Sequence, residues 1–268
     1  PVHHYSILNS SNGKIGYLMY NQFISNYDQY LESIFSDYKS NSVNELILDL
    51  RYNPGGSINS ALILASLITG QFENDIFNTE EWNTEIQNYW INNNPEYLVN
   101  RFLSLESSLN LNRVFILTTR SSASASELII NCLDPYIDVI QIGTTTYGKY
   151  QASVTLYDSE NFSNQNINPS HNYAIQPLVL KTLNVLGITD YFNGINPEYD
   201  FEEKVYNMGI IGDLNEPMLN FAMGLINSRA EINIQPETLE FVDDNFKFDF
   251  LKREMYIENK EIKIKDGN

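Results

Sequence analysis

A short apolar strand, a loop of small residues and then a helix occur in that order twice in this sequence. In the first copy, an apolar run at 45–50 precedes a turn cluster and a predicted helix at 58–69. In the second copy, a run at 113–118 precedes a small-residue loop and a predicted helix at 124–133. A third apolar run follows at 138–142. Because strands that alternate with helices build layered sheets, the pattern predicts an α/β fold with a largely parallel core.

The regions around these units suggest how the rest of the chain is organised. The spacing of apolar residues predicts a strand at 16–24 and a helix at 26–39. Residues 71–110, rich in Asn, Glu and aromatics, are interpreted as a helical insertion that could act as a lid. Alternating polar and apolar residues predict a strand-rich C-terminal appendage at 236–268, which leaves 1–235 as the core.

The net charge of the chain excludes some classes of binding partner. The formal net charge is −18, from 34 acidic and 16 basic side chains. Such a surface repels phosphate groups, so we expect neither nucleic acid nor anionic lipid as a partner. Cys132 is the single cysteine, which excludes an internal disulfide. No apolar run is long enough to span a bilayer.

Histidine is scarce, and this limits the chemistry that the chain can perform. The three histidines are His3, His4 and His171, and the first two lie at a terminus that we expect to fray. A Ser-His-Asp triad would therefore depend on one of very few candidates. A histidine-rich zinc site is equally hard to assemble, and HExxH does not occur.

Three polar or glycine-containing loops follow predicted strands and are expected to meet. They are Asp49–Gly56, Ser122–Glu127 and Gly143–Lys149. In open α/β sheets, ligands bind at the carboxyl ends of the strands. The same edge of the sheet would therefore hold a serine at a helix start, a lysine and a pair of glycines.

Each of these residues has both a structural and a chemical interpretation. Ser124 can cap its helix, or it can act as a nucleophile beside helix N–H groups that stabilise an oxyanion. Lys149 can be a solvated charge, or a base whose pKa burial lowers from about 10.4 toward about 7–8. Gly55 and Gly56 can serve a turn, or they can let a backbone N–H approach a substrate oxygen.

A nucleotide site is suggested by one motif and then excluded. Gly143–Lys149 fits GxxxxGK, but Tyr150 follows where a phosphate-binding loop needs Ser or Thr. The segment that comes next is typical of a strand, whereas that motif requires a helix. We therefore expect no nucleotide, no metal and no other cofactor.

Taken together, the three loops resemble the S41 peptidases, the C-terminal processing or tail-specific protease family. The resemblance extends from about residue 13 to about residue 226. It is carried by stretches that occur in the family's order, namely LILDLRYNPGG (46–56), SSASASELI (121–129), TTYGK (145–149), AIQP (174–177), GINPEY (194–199) and GDLNEPMLNFA (212–222).

The resemblance implies a function and a set of site residues. It implies a ClpP/crotonase-like layered α/β core and a serine endopeptidase that acts on polypeptides through an acyl-enzyme. Ser124 would be the nucleophile and Lys149 its base. The backbone N–H groups of Ala125 and of either Gly55 or Gly56 would form the oxyanion hole.

Two departures from the family pattern leave alternatives open. Many members carry a Gln four residues after the lysine, but that position is Ser153 and the Gln is Gln151. Either residue could orient Lys149, or Lys149 could be less well held. A PDZ domain has no room in this sequence. An upstream domain or a membrane anchor could lie outside it, because the chain starts Pro1-Val2 without a Met.

Two other functional classes compete with proteolysis. One is a peptide-binding module on the same fold with weak or absent catalysis. The other is an acyl-transferring, crotonase-like enzyme that acts on thioesters. By resemblance, we expect a bacterial, extracytoplasmic location, either periplasmic or anchored at the cell surface.

Overall fold

The computed structural model describes residues 1–227 and 254–258, which form two six-stranded sheets, one two-stranded ribbon and five α-helices. The strands in chain order are β1 (Val2–Ser10), β2 (Gly13–Tyr20), β3 (Val43–Asp49), β4 (Gly56–Ser57), β5 (Ile76–Trp82), β6 (Val99–Arg101), β7 (Arg113–Thr118), β8 (Asp138–Gly143), β9 (Gln151–Val154), β10 (Leu156–Tyr157), β11 (Ala174–Ile175), β12 (Leu178–Leu183), β13 (Tyr199–Asp200) and β14 (Met255–Ile257). The helices are α1 (Asp28–Ser40), α2 (Ile58–Thr69), α3 (Thr84–Asn93), α4 (Ala125–Leu133) and α5 (Pro217–Asn227).

The first sheet is the parallel core that the repeated strand–loop–helix pattern predicts. Its strand order is β1-β2-β3-β7-β8-β13, and every pairing from β2 to β13 is parallel. Only β1 runs antiparallel, as the first arm of a hairpin with β2. The prediction that the N-terminus frays is therefore wrong, because His3 and His4 lie in β1. The α/β class is confirmed.

Two apolar layers cover the two faces of the first sheet. Helix α5 packs on one face through Met218, Leu219 and Ala222, which are fully buried against alternate residues of β2, β3 and β7. Helices α1, α2 and α4 share a larger core on the other face, and that core continues into the second sheet. Successive side chains of a strand point to opposite faces, so a strand segment that is buried on both faces, such as 46–48 of β3, needs apolar residues on both.

The second sheet corrects two expectations about chain organisation. Its order is β4-β14-β9-β12-β5-β6, so both β5 and β6 come from the segment 71–110. That segment is not a helical insertion, because it contains one α-helix and two strands. Its Asn- and Glu-rich composition is not typical of strands, and antiparallel pairing with β12 supplies the backbone hydrogen bonds that override this preference.

The C-terminal appendage is the second correction. The described part of it, residues 254–258, contains β14, which lies inside the second sheet with parallel neighbours on both sides. Met255 is fully buried in the main core. The remaining residues of the predicted 236–268 unit lie outside the described residues. In the described part of the chain, no helix has the length and apolar character that crossing a membrane requires.

The fold brings the three predicted loops to one edge of the first sheet. They follow β3, β7 and β8, which are neighbours and parallel, so their carboxyl ends lie side by side. The boundaries of these strands fall within two residues of the predicted ones. The helix predicted at 124–133 begins one residue later, because Ser124 has a non-helical backbone.

Candidate active site

Ser124 lies between β7 and α4 in an unusual backbone conformation. Its φ is 63° and its ψ is −112°, a region that residues other than glycine rarely adopt. Such conformations cost on the order of 1–3 kcal/mol and persist where the surrounding structure enforces them. The side chain is fully buried, and within the described residues its Oγ has no hydrogen-bond partner. The hydroxyl therefore lies buried at the N-terminus of α4.

Gly55 makes room for this serine. A Cβ atom placed on Gly55 would lie 2.6 Å from the Ser124 Cβ, and the φ of Gly55 is +111°. Only glycine satisfies both requirements at this position. The N–H of Gly55 donates to Asn53 Oδ1 at 2.9 Å. The structure therefore does not leave Gly55 available as an oxyanion donor, although the sequence analysis included it.

A single buried carboxylate joins the serine loop to the lysine loop. Glu127 Oε2 accepts from the backbone N–H of Ser124 at 2.7 Å and from that of Lys149 at 2.8 Å. Its Oε1 accepts from Thr146 Oγ1 at 2.6 Å and from the Gly148 N–H at 2.5 Å. Ser124 and Lys149 are therefore held against the same oxygen atom. Burial raises the pKa of Glu127, and these hydrogen bonds act in the opposite direction.

Lys149 is half-buried, and its environment changes its acidity. Desolvation lowers the pKa of its ammonium group, which is the direction that a general base requires. The negative charges of Glu254 and Glu127 oppose this effect because they stabilise the ammonium form. The protonation state of Lys149 therefore depends on the distance between its ammonium group and the Glu254 carboxylate.

Two backbone N–H groups belong to residues near Ser124 in the chain or next to the glycine that contacts it, namely Ala125 and Gly56. Ala125 is the first residue of α4, where N–H groups lack partners within the helix. Gly56 starts β4, where the Gly55 carbonyl and the Ser57 N–H both bond to Phe23. Because successive strand residues direct their N–H groups to opposite sides, the Gly56 N–H points away from Phe23, toward β14.

The residues after Lys149 belong to β9. Gln151 is half-buried at the start of the strand, opposite Lys181 of β12. The Ser153 hydroxyl donates to the Met255 carbonyl at 3.1 Å and accepts from Gln176 Nε2 at 3.2 Å. The Ser153 donor is therefore already engaged. Which of Gln151 and Ser153 orients Lys149 stays a prediction.

A buried charge cluster holds the base of the glycine loop. Arg51 is fully buried and pairs with Asp49, Glu203 and Glu216 at 2.7, 2.8 and 3.0 Å. The Tyr17 hydroxyl donates to Asp49 at 2.7 Å. The guanidinium thus connects the end of β3 to a distant loop and to the residue that caps α5.

Sequence reasoning missed Glu127 and the Arg51 cluster. The signal for Glu127 was present, because Ser124 and Glu127 have the S-x-x-E spacing in which the acidic side chain bonds back to the first residue. Two of the three partners of Arg51, Glu203 and Glu216, lie more than 150 positions away in the chain, and no local pattern indicates them. Within residues 1–227 and 254–258, no group of three His, Cys, Asp or Glu side chains is arranged to hold a metal ion.

Proteins of known sequence show where this chain belongs. The profile of peptidase family S41 matches residues 14–168. A "Probable CtpA-like serine protease" from Staphylococcus epidermidis is 28% identical over 148 residues, which cover 55% of this chain and 28% of that protein. A carboxyl-terminal-processing protease from Picosynechococcus is 25% identical over 146 residues, which cover 54% and 32%. The chain thus matches about a third or less of the length of these relatives.

Solved structures agree with the sequence matches. An S41 protease from Bacteroides fragilis aligns with a TM-score of 0.71 at 29% identity, over 84% of this chain and 57% of that one. The photosystem II D1 C-terminal processing protease shares the fold, with a TM-score of 0.53 at 18% identity over 78% and 46%. The family profile covers more than half of the chain and includes all three loops. The chain belongs to peptidase family S41.

Proposed function

We propose that this chain is the catalytic core of a serine endopeptidase that uses Ser124 and Lys149 as a dyad. The observation that carries the proposal is the Glu127 carboxylate, which bonds to the backbone of both residues through one oxygen atom. This arrangement ties the backbones of Ser124 and Lys149 to one oxygen atom, which supports their assignment as nucleophile and base. Desolvation lowers the pKa of the Lys149 ammonium group, which favours the neutral amine that the reaction needs.

The reaction starts with neutral Lys149. As the Ser124 Oγ attacks a peptide carbonyl carbon, Lys149 Nζ takes the hydroxyl proton, and the carbonyl oxygen becomes an oxyanion. The C–N bond then breaks, and the leaving amine takes the proton from the Lys149 ammonium. A water molecule attacks the acyl-enzyme with Lys149 again as base, which releases the acid product and restores Ser124.

The oxyanion donors that we propose are the backbone N–H groups of Ala125 and Gly56. Ala125 follows Ser124, Gly56 follows the glycine that lies against the Ser124 Cβ, and the helix dipole of α4 adds positive potential at Ala125. Gly55 is left out because its N–H donates to Asn53. Polypeptides are the substrate class that this chemistry serves.

Replacing the nucleophile tests this assignment. Ser124→Ala is expected to abolish cleavage of fluorescein-labelled casein and labelling by a fluorophosphonate, because no other residue would supply the attacking oxygen. Ser121→Ala, in the same loop, is the matched control and should keep both activities. Full casein cleavage by Ser124→Ala would refute the dyad.

The alternative function is a peptide-binding module with little or no catalysis. The position of Glu254 favours it, because this carboxylate stabilises the ammonium form of Lys149. The module predicts that Ser124→Ala and the parent chain bind a peptide equally, and that neither the parent nor Ser121→Ala forms a fluorophosphonate adduct. The dyad predicts an adduct on Ser124 in both the parent chain and Ser121→Ala.

An extracytoplasmic location remains a proposal. We infer it from the kind of protein that the family match indicates, and cell fractionation of the native host with an antibody against this chain tests it. Recovery with the periplasmic or cell-surface fraction is expected. Recovery with the cytosolic fraction alone would contradict it.

A further inference from the structure

Strand β14 lies between β4, which starts in the glycine loop, and β9, which follows the loop that ends at Lys149. On one side it pairs in parallel with β4, where Met255 is opposite Gly56 of the glycine loop. On the other side it pairs in parallel with β9, which begins two residues after Lys149. The segment 254–258 therefore fills a slot whose two walls are continuous with the residues proposed for catalysis.

The backbone of this segment is close to the nucleophile. The Glu254 carbonyl oxygen lies 2.7 Å from the point where a Gly55 Cβ would stand, and the Ser124 Cβ lies 2.6 Å from the same point. The Gly56 N–H points to this strand, and the register directs it at the Glu254 carbonyl. A substrate carbonyl under attack by Ser124 needs the same N–H and a position beside the same serine.

The side chains of the segment anchor it at three places. Met255 is fully buried in the main core. Glu258 accepts from Ser25 at 2.9 Å and from Ser57 at 3.2 Å. Glu254 lies near Lys149, where its charge stabilises the protonated and therefore inactive form of the base. One five-residue segment thus covers the oxyanion donor and restrains the base.

We propose that the slot between β4 and β9 is the groove for an extended substrate, and that residues 254–258 occupy it as an internal substrate mimic that must leave before cleavage. This inference rests on the proposed function. A substrate would add to the sheet as a parallel strand, with backbone hydrogen bonds on both sides and an apolar side chain in the place of Met255. A charged side chain at that place would be excluded, because the pocket is closed to water.

A reversible crosslink tests whether the strand must leave. Val154 and Ile257 are paired across β9 and β14, so Val154→Cys/Ile257→Cys places two thiols in a suitable register for a disulfide. Cys132 is fully buried and does not compete. Oxidation should slow casein cleavage about tenfold or more, since a locked strand cannot vacate the groove, and reduction should restore it. The single variant Ile257→Cys should be insensitive to oxidant.

A binding measurement separates this inference from the proposed function. The same cysteine pair is placed in the Ser124→Ala chain, and fluorescence anisotropy follows a labelled peptide with the sequence of residues 254–258. Binding by the reduced form and loss of binding on oxidation would support the groove, even if the parent chain cleaves nothing. Equal binding by both forms would overturn it, as would failure of the cysteines to crosslink.

A second variant displaces the strand without a crosslink. Tyr256→Pro removes a backbone N–H from the middle of β14, where proline is not tolerated. Labelling of Ser124 by fluorophosphonate should accelerate severalfold, with an unchanged circular dichroism spectrum. A folded Tyr256→Pro chain that labels at the parent rate or more slowly would contradict the proposal.

Discussion

At the scale of single residues, the site depends on how Ser124 is constrained. Its backbone adopts a conformation that L-residues avoid, and the hydroxyl is buried without a partner among the described residues. Ser124 and Glu127 occupy the two positions of a capping box at the start of α4. The Glu127 carboxylate accepts from the Ser124 N–H, which helps to hold the serine backbone in this conformation.

Gly55→Ala tests the space that this constraint requires. The new methyl group would stand 2.6 Å from the Ser124 Cβ and 2.7 Å from the Glu254 oxygen, and the backbone would be strained at φ +111°. We expect a loss of stability of about 2–4 kcal/mol and loss of fluorophosphonate labelling. Gly187→Ala is the control, because it also has a positive φ, of +77°, but meets no atom within 4 Å. Its cost should be about 1 kcal/mol, with labelling retained.

Glu127→Gln tests the bridge between the two loops. Four donors point at the carboxylate, and an amide offers only one oxygen and adds two donors. Chemical denaturation should show a loss of about 2–4 kcal/mol, with a lower kcat. The apparent pKa of Lys149 in the pH–rate profile should also fall, because a charge that stabilises the ammonium is removed.

An exposed carboxylate is the control for this variant. Glu85→Gln changes a solvent-exposed residue at the start of α3 and should leave both stability and the pH–rate profile unchanged. If Glu127→Gln lowers stability but leaves the apparent pKa in place, Glu127 is purely structural and the positioning role is wrong.

At the scale of elements, the segment 71–110 is packed into the second sheet. Its strands extend that sheet, and Trp90 of α3 is buried and stacked on Tyr97 with ring centroids 4.1 Å apart. The Trp82 indole N–H donates to Glu80 at 2.8 Å, which satisfies a polar group inside the packed region. These contacts should make the segment contribute to the stability of the fold.

Trp90→Ala measures this packing. Removal of a buried indole should lower the free energy of unfolding by about 3–5 kcal/mol. Ile91→Ala, at the neighbouring position that is half exposed, should change it by less than about 1 kcal/mol. If the two variants have the same stability, residues 71–110 are not packed as the structure shows.

The elements also show where sequence patterns are sufficient. The helix at 58–69 and the strand at 113–118 are predicted to the residue, because local apolar runs and turn residues define them. Strand β5 is not recovered, because its partner β12 is distant in the chain and tertiary pairing outweighs local preference. For β14 the strand-rich character of 236–268 is predicted, but its place inside the second sheet beside β4 is not. The backbones of Ser124 and Lys149 meet at Glu127, which no local pattern places between them, and the Gly55 N–H is engaged by Asn53.

At the scale of the whole molecule, Arg51 connects parts that are far apart in sequence. It joins the end of β3 to Glu203 and to Glu216, the residue whose carboxylate accepts from the first N–H groups of α5. A fully buried guanidinium with three carboxylate partners is strongly coupled to them. Loss of the cation leaves unpaired negative charges in the core.

The Arg51→Leu variant should therefore be less stable than a variant in which an exposed arginine is replaced. We expect a loss of about 3–5 kcal/mol, measured by chemical denaturation, because the buried carboxylates lose their partner. Arg101→Ala breaks the pair with Glu96, in which both side chains are largely exposed, and should cost less than about 1 kcal/mol. Equal losses in the two variants would show that the Arg51 cluster does not stabilise the fold.

The most direct test of the dyad is the rate at which fluorophosphonate labels Ser124 as pH rises. The lowered pKa of Lys149 means that the neutral base accumulates at a pH below 10.5, the ordinary value for lysine. Labelling of the parent chain should therefore rise with an apparent pKa below that value. In Lys149→Met the rate should fall by about 10²-fold or more, and this rise should disappear. A Lys149→Met chain that labels Ser124 at the parent rate, with the same pH profile, would contradict the account.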